Sequence, residues 1–132
     1  MAKFTCNFIS YTLRRTVDIT VVVPSPSIPE TEATASSQAP CTHTPKDLYP
    51  VLYLLHGMGN NHATWTGYTN VEMYAEERNI AIVNLSAENK AYIDNGVDDF
   101  YTFVSEELPD FVTSMFPISK KPEDTYIAGL SM

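Results

Sequence analysis

Cysteine and positive charge are both scarce in this chain. Cys6 and Cys41 are the only cysteines among 132 residues, one in an apolar stretch and one in a polar stretch. No disulfide framework is expected from that pair. Lys and Arg total 8 against 16 Asp and Glu, a net charge of −8. Phosphate-bearing partners need the opposite balance, so nucleic acid and an anionic membrane surface are both disfavoured, and the acidity is read as keeping the protein soluble. No apolar run approaches the roughly 18 residues of a membrane span, and the alternating residues that follow Met1 hold no uninterrupted signal-type apolar segment. A soluble, cytoplasmic protein is the expectation. Internal repeats, a G-x-G-x-x-G and a P-loop lysine are absent too, which argues against a nucleotide loop at His56-Gly57-Met58-Gly59-Asn60.

What the sequence does have is a globular composition, 44% hydrophobic and 18% charged, in a chain long enough for one domain. Phe4–Leu13 and Val17–Val23 are aromatic and β-branched, with Arg14-Arg15 between them, and predict an antiparallel hairpin. Between Pro24 and Tyr49 five prolines stand among Ser, Thr, Ala and Glu, so residues 24–49 read as a long flexible surface loop. Cys41 and His43 within it are too few ligands for a closed metal site. Val51–Leu55 and Ile80–Leu85 read as strands buried on both faces, and Thr125–Ala128 as a third. Thr69-Asn70-Val71-Glu72 has the form of a capping box, opening a helix with Val71, Tyr74, Ala75 and Arg78 on one face. Phe100, Phe103, Val104, Leu108, Phe111, Val112 and Met115 recur at helical spacing, with Pro109 expected to kink the helix they define. Strands alternating with helices predict an α/β fold with a mostly parallel sheet, made mixed by the N-terminal antiparallel hairpin.

Two short motifs carry chemistry. A nucleophilic serine is best presented on a sharp strand-to-helix turn flanked by small residues, the G-x-S-x-G pattern. Gly129-Leu130-Ser131-Met132 supplies its first four positions directly after a predicted strand. His56-Gly57 follows another buried strand, where this class places its second oxyanion donor. The backbone N–H groups of Met58 and Met132 are the candidate donors, with Gly57 and Gly129 permitting close backbone approach. His56 is expected to pack or hydrogen-bond locally, and His62 to lie on a loop surface; the two lack a third ligand for a metal.

These segments, taken with FTCNFISYTLRRTVDITVVVP, YPVLYLLHGMGNNHATW, TNVEMYAEERNIAIV, YTFVSEELPDFV and EDTYIAGLSM, resemble the tributyrin esterase branch of the esterase D family. That family includes S-formylglutathione hydrolases and is related to feruloyl and acetyl-xylan esterases. The resemblance runs almost end to end and implies an intracellular α/β-hydrolase that cleaves short-chain acyl esters, with Ser131 as nucleophile and no metal or organic cofactor. It also implies that residues 1–132 form the N-terminal part of a single domain, reaching only to the nucleophile elbow. The order in this class is Ser, then Asp, then His, and His43, His56 and His62 all precede Ser131. The 132 residues alone are therefore expected to be inactive, and the strand ending at Ala128 to expose an apolar edge open to a homo-oligomer or complementing chain. Two alternatives accompany this reading: a thioester hydrolase of the S-formylglutathione type, and a non-catalytic binding protein on a hydrolase scaffold.

Overall fold

The computed structural model describes residues 1–26, 28, 30–32 and 48–132. Its first 23 residues form a long hairpin, β1 (Ala2–Ser10) and β2 (Arg15–Val23), paired antiparallel along their whole length. The reversal uses Arg14 in the left-handed region at φ 55°. The three later strands are β3 (Val51–Leu55), β4 (Ala81–Leu85) and β5 (Thr125–Gly129). They join the hairpin in one five-stranded sheet of order β1-β2-β4-β3-β5. β3 runs parallel to both β4 and β5, while β2 is antiparallel to both of its neighbours. β2 alone therefore opposes the common strand direction, and the sheet is mixed but mostly parallel as predicted.

Helices cover the two faces unequally. The short α1 (Thr64–Tyr68) and α2 (Val71–Arg78) lie on one face, where Val22, Leu54, Ala75 and Ile82 are buried together. On the other face a continuous helical segment packs α3 (Phe100–Thr102), a π-helical turn (Phe103–Glu107) and α4 (Leu108–Met115) against Val21, Tyr53 and Val83. Phe100, Phe103, Leu108 and Val112 from that segment are fully buried, each large side chain stabilising the fold by roughly 1.5–3 kcal/mol. Phe8 on β1 stacks on Phe111 with centroids 3.9 Å apart. No described helix is long and apolar enough to cross a membrane.

Several expectations are corrected. Thr69 and Glu72 do not form a capping box: the Thr69 hydroxyl accepts from Val71 N–H, and Glu72 instead pairs with Lys3. The helix over Val71–Arg78 does form, and Arg78 lies over the Tyr74 ring one turn back, but of that face only Ala75 is buried. The proline does not simply kink an α-helix. The N–H of Leu108 donates to Phe103 O, five residues back, and α4 then restarts with Pro109 in its first turn, where a missing N–H costs least. Met115 is exposed, outside the core its spacing suggested. Within the 24–49 segment, Ile28 and residues 30–32 are helical and Tyr49 is buried and bridged to Ile118; Cys41 and His43 lie outside the described residues.

Glu107 fastens the helical segment to the hairpin. Its carboxylate accepts from Ser10 Oγ at 2.7 Å, Tyr11 N–H at 2.9 Å and Thr12 N–H at 3.0 Å. Burial pushes this carboxyl up, but those hydrogen bonds outweigh it and hold Glu107 below the usual glutamate range.

Candidate active site

The register of the sheet brings the two motifs together. Leu55 pairs with Gly129, so β3 and β5 end side by side and release His56-Gly57 and Leu130-Ser131 at the same edge. Leu130 N–H donates to Leu55 O at 3.3 Å, which holds the start of the second turn against the first strand. A Cβ added at Gly129 would come within 3.2 Å of Leu55 Cβ. One added at Gly57 would meet Leu130 O at 3.0 Å and Ser131 Cβ at 3.3 Å. Glycine at position 57 is thus what lets the two loops close on one another.

Ser131 is exposed and sits at φ 68°, in a region that costs an ordinary L-residue energy and is held only by its surroundings. Around it Met132 N–H donates to Leu130 O at 2.8 Å, closing a tight three-residue turn. The serine hydroxyl therefore stands at the tip of a strained strand exit. The same turn occupies the N–H of Met132, the second candidate donor. Met58 has an exposed side chain, and its backbone N–H makes no hydrogen bond among the described residues.

His56 is buried, 1% exposed, and both of its ring nitrogens are engaged. Ala87 N–H donates to Nε2 at 2.8 Å, so Nε2 carries no proton. Nδ1 must then hold the hydrogen of the neutral ring and donates it to Gly57 O at 2.7 Å. The ring has no free lone pair for a metal or for a substrate proton. His62 is half-buried, not a loop-surface residue: its Nδ1 lies 2.8 Å from Thr20 Oγ1 and its N–H donates to Ser86 Oγ. Neither histidine approaches Ser131 as a base would.

Residues that motif reading did not single out also border the two turns. Trp65 Nε1 donates to Leu55 O, and its ring joins His56, Gly57, Asn60, Tyr68 and Leu130 around a cavity of ≈ 140 Å³ beside the serine turn. Asn89 and Tyr92 reach the same region from the loop after β4, through Gly59 N–H and His56 O. That loop shows no hydrophobic period, and its one local signal is Asn89, a residue type that tolerates left-handed φ. A larger cavity, ≈ 330 Å³ between Phe4, Pro24 and Phe116, is lined by residues from the start of the hairpin and the end of α4 and includes none from either motif.

Residues 25–132 match the Esterase family, described as "Putative esterase". The acetyl esterase of Caldicellulosiruptor saccharolyticus is 39% identical over 83 residues, which is 61% of this chain and 31% of that protein. Fluorophosphonate-binding serine hydrolase F of Staphylococcus aureus superposes with a TM-score of 0.78 at 30% identity, over 97% of this chain and 46% of its own. The S-formylglutathione hydrolase FrmB of Staphylococcus aureus gives 0.74 at 28% identity, with the same coverage of 97% and 46%. The chain thus spans about half the length of the solved structures it matches and under a third of the acetyl esterase.

Proposed function

The chain belongs to the Esterase family, and from that premise we propose that it carries the nucleophile and one oxyanion donor of a serine esterase acting on short-chain acyl esters. The observation that carries the reading is Ser131 itself, exposed at φ 68° where β5 ends against Gly57. In this mechanism Ser131 Oγ attacks the ester carbonyl carbon while a base takes its proton. The tetrahedral intermediate places its oxyanion toward the unpaired N–H of Met58. Collapse expels the alcohol, which leaves with a proton, and water then releases the acid from the acyl-serine. Met132 N–H joins as the second donor if it exchanges its bond to Leu130 O for one to the oxyanion. The base and its acidic partner follow the nucleophile in the chain order of this class, Ser then Asp then His. None of His43, His56 and His62 follows Ser131, so these 132 residues supply no base in that order and by themselves are expected to be inactive.

The ≈ 140 Å³ cavity walled by Trp65 is small, which supports a short acyl or alcohol group. The similarity to an acetyl esterase points the same way. The likeness to FrmB favours a second reading, hydrolysis of an S-acyl thioester. A fluorophosphonate probe applied to the full-length protein should add one adduct, mapped by peptide mass to Ser131. Absence of that adduct in a protein that hydrolyses 4-nitrophenyl butyrate would refute the assignment. Faster turnover of S-formylglutathione than of the oxygen ester would move the substrate class to the second reading.

A further inference from the structure

We infer that the loop after β4, residues 86–92, is the positioning element of the oxyanion donor, acting through Asn89 and Tyr92; this rests on the reading of Met58 N–H as that donor. The direction of a backbone N–H is set by its peptide plane, and the planes on either side limit how far it can turn. Every peptide here is trans, so Gly57 O and Met58 N–H point opposite ways from one plane. Three successive planes in the His56–Gly59 turn are each fixed from the 86–92 loop. Tyr92 Oη donates to His56 O at 2.8 Å, holding the first. Ala87 N–H fixes the His56 ring as the Nδ1–H form, and that ring, together with Asn60 N–H at 3.2 Å, holds Gly57 O, setting the second plane and with it the aim of Met58 N–H. Asn89 Oδ1 accepts from Gly59 N–H at 2.7 Å, holding the third.

The loop is itself held in an unfavourable shape. Glu88, Asn89, Ala91 and Tyr92 all have φ between 50° and 60°, a concentration of left-handed non-glycine residues that persists only where the surroundings over-determine it. Those surroundings include the hairpin: Arg15 reaches Glu88 through Nε and Nη2 at 3.1 and 3.0 Å, and also contacts Asp98 at 2.8 Å. Lys90 joins Asp98 at 3.1 Å. A strained loop anchored at its back and bonded at its front to a catalytic turn is built to hold geometry, since a misplacement of about 1 Å can cost ~100-fold in rate.

The test uses the full-length protein, with kcat counted per fluorophosphonate-titrated Ser131. Tyr92→Phe removes one donor, and Asn89→Gly removes the acceptor while still accommodating φ 60°. Each should lower kcat for 4-nitrophenyl butyrate about tenfold with KM within about twofold, the loss expected of a misaimed donor. Asn89→Asp, which keeps the acceptor and tolerates the backbone, should return kcat to within about threefold of the parent. Asn89 is exposed, so its replacement spares the core. Per-site kcat unchanged in both single variants overturns the inference. Ser131→Ala run alongside separates the two claims: activity surviving in it refutes the nucleophile, whereas an inactive Ser131→Ala beside fully active loop variants refutes the clamp alone.

Discussion

β4 and β5 flank β3 on opposite sides, both five residues long and both parallel to it, yet all five residues of β4 are buried and all five of β5 are exposed. Tyr53 on β3 pairs with Val83 on one side and Ile127 on the other; Val83 is 0% exposed and Ile127 62%. The apolar pattern of the two strands does not separate them. Their neighbours do, because β4 lies between β2 and β3 with helices over both faces, while β5 has a strand on one side only among the described residues. Within these 132 residues, which span about half the length of the solved structures they match, labour divides accordingly: the buried strand holds the sheet together, and the exposed one ends in the strained serine turn.

The largest effect expected from that division is on rate. In the full-length protein Ser131→Ala should reduce kcat/KM for 4-nitrophenyl butyrate by about 10⁴-fold or more, as loss of a serine nucleophile does. Its unfolding midpoint should stay within about 2 °C of the parent, since removing one hydroxyl from a turn residue takes away little packing. A large drop in stability would mean that Ser131 is structural, and the contrast between the two strands would collapse.

Next in size is a core truncation on the buried strand. Val83→Ala removes two methyl groups from the larger cluster, beside Val21 and Tyr53. It should cost about 2 kcal/mol in denaturant unfolding of the 132-residue chain, while leaving KM of the full-length protein unchanged. A cost below about 0.5 kcal/mol would show that β4 is not the tightly packed element its burial indicates.

The strands were legible because their residues are apolar and β-branched in short runs; Val51–Leu55 falls on β3 at both ends. The serine turn was legible only through a pair of signals, since Gly129-Leu130-Ser131 after one strand says little until His56-Gly57 after another is read beside it. Three things were hidden, each for a physical reason. The capping box failed because Lys3, remote in sequence, reaches Glu72 across the fold. The π turn at Phe103–Glu107 keeps the same apolar residues facing inward, so periodicity does not distinguish it from an α-helix with a proline kink. The clamp formed by Asn89 and Tyr92 depends on side-chain-to-backbone hydrogen bonds between loops 30 or more residues apart, which no local pattern encodes. Asn84 is a further case: it stands in an apolar run, is fully buried, and its side-chain O and N find no hydrogen-bond partner among the described residues.

Glu107 gives a comparable but pH-dependent effect on the buried side of the sheet. Its folded carboxyl lies below the unfolded value of about 4.3. The stabilisation it contributes is therefore complete above that pH and is lost as pH falls through the lower folded value. Glu107→Gln should cost about 1–3 kcal/mol at pH 7, because an amide N–H would face donors from the hairpin. Once pH falls below the lowered folded value, the variant and parent should converge in urea unfolding. A cost independent of pH would assign the loss to packing rather than to the carboxylate.

The smallest expected effect bears most directly on the comparison. Ile127→Ala shortens a side chain at the same register as Val83 but on the exposed strand. In the 132-residue chain it should change the unfolding free energy by less than about 0.5 kcal/mol, since little apolar area is removed from contact. Measured beside Val83→Ala in one denaturant series, the pair isolates the contribution of strand neighbours, because both positions share Tyr53 as partner. Equal costs would show that another strand or a second chain covers β5 in solution. The labour would then be divided at the serine turn alone, with β5 itself as much part of the core as β4.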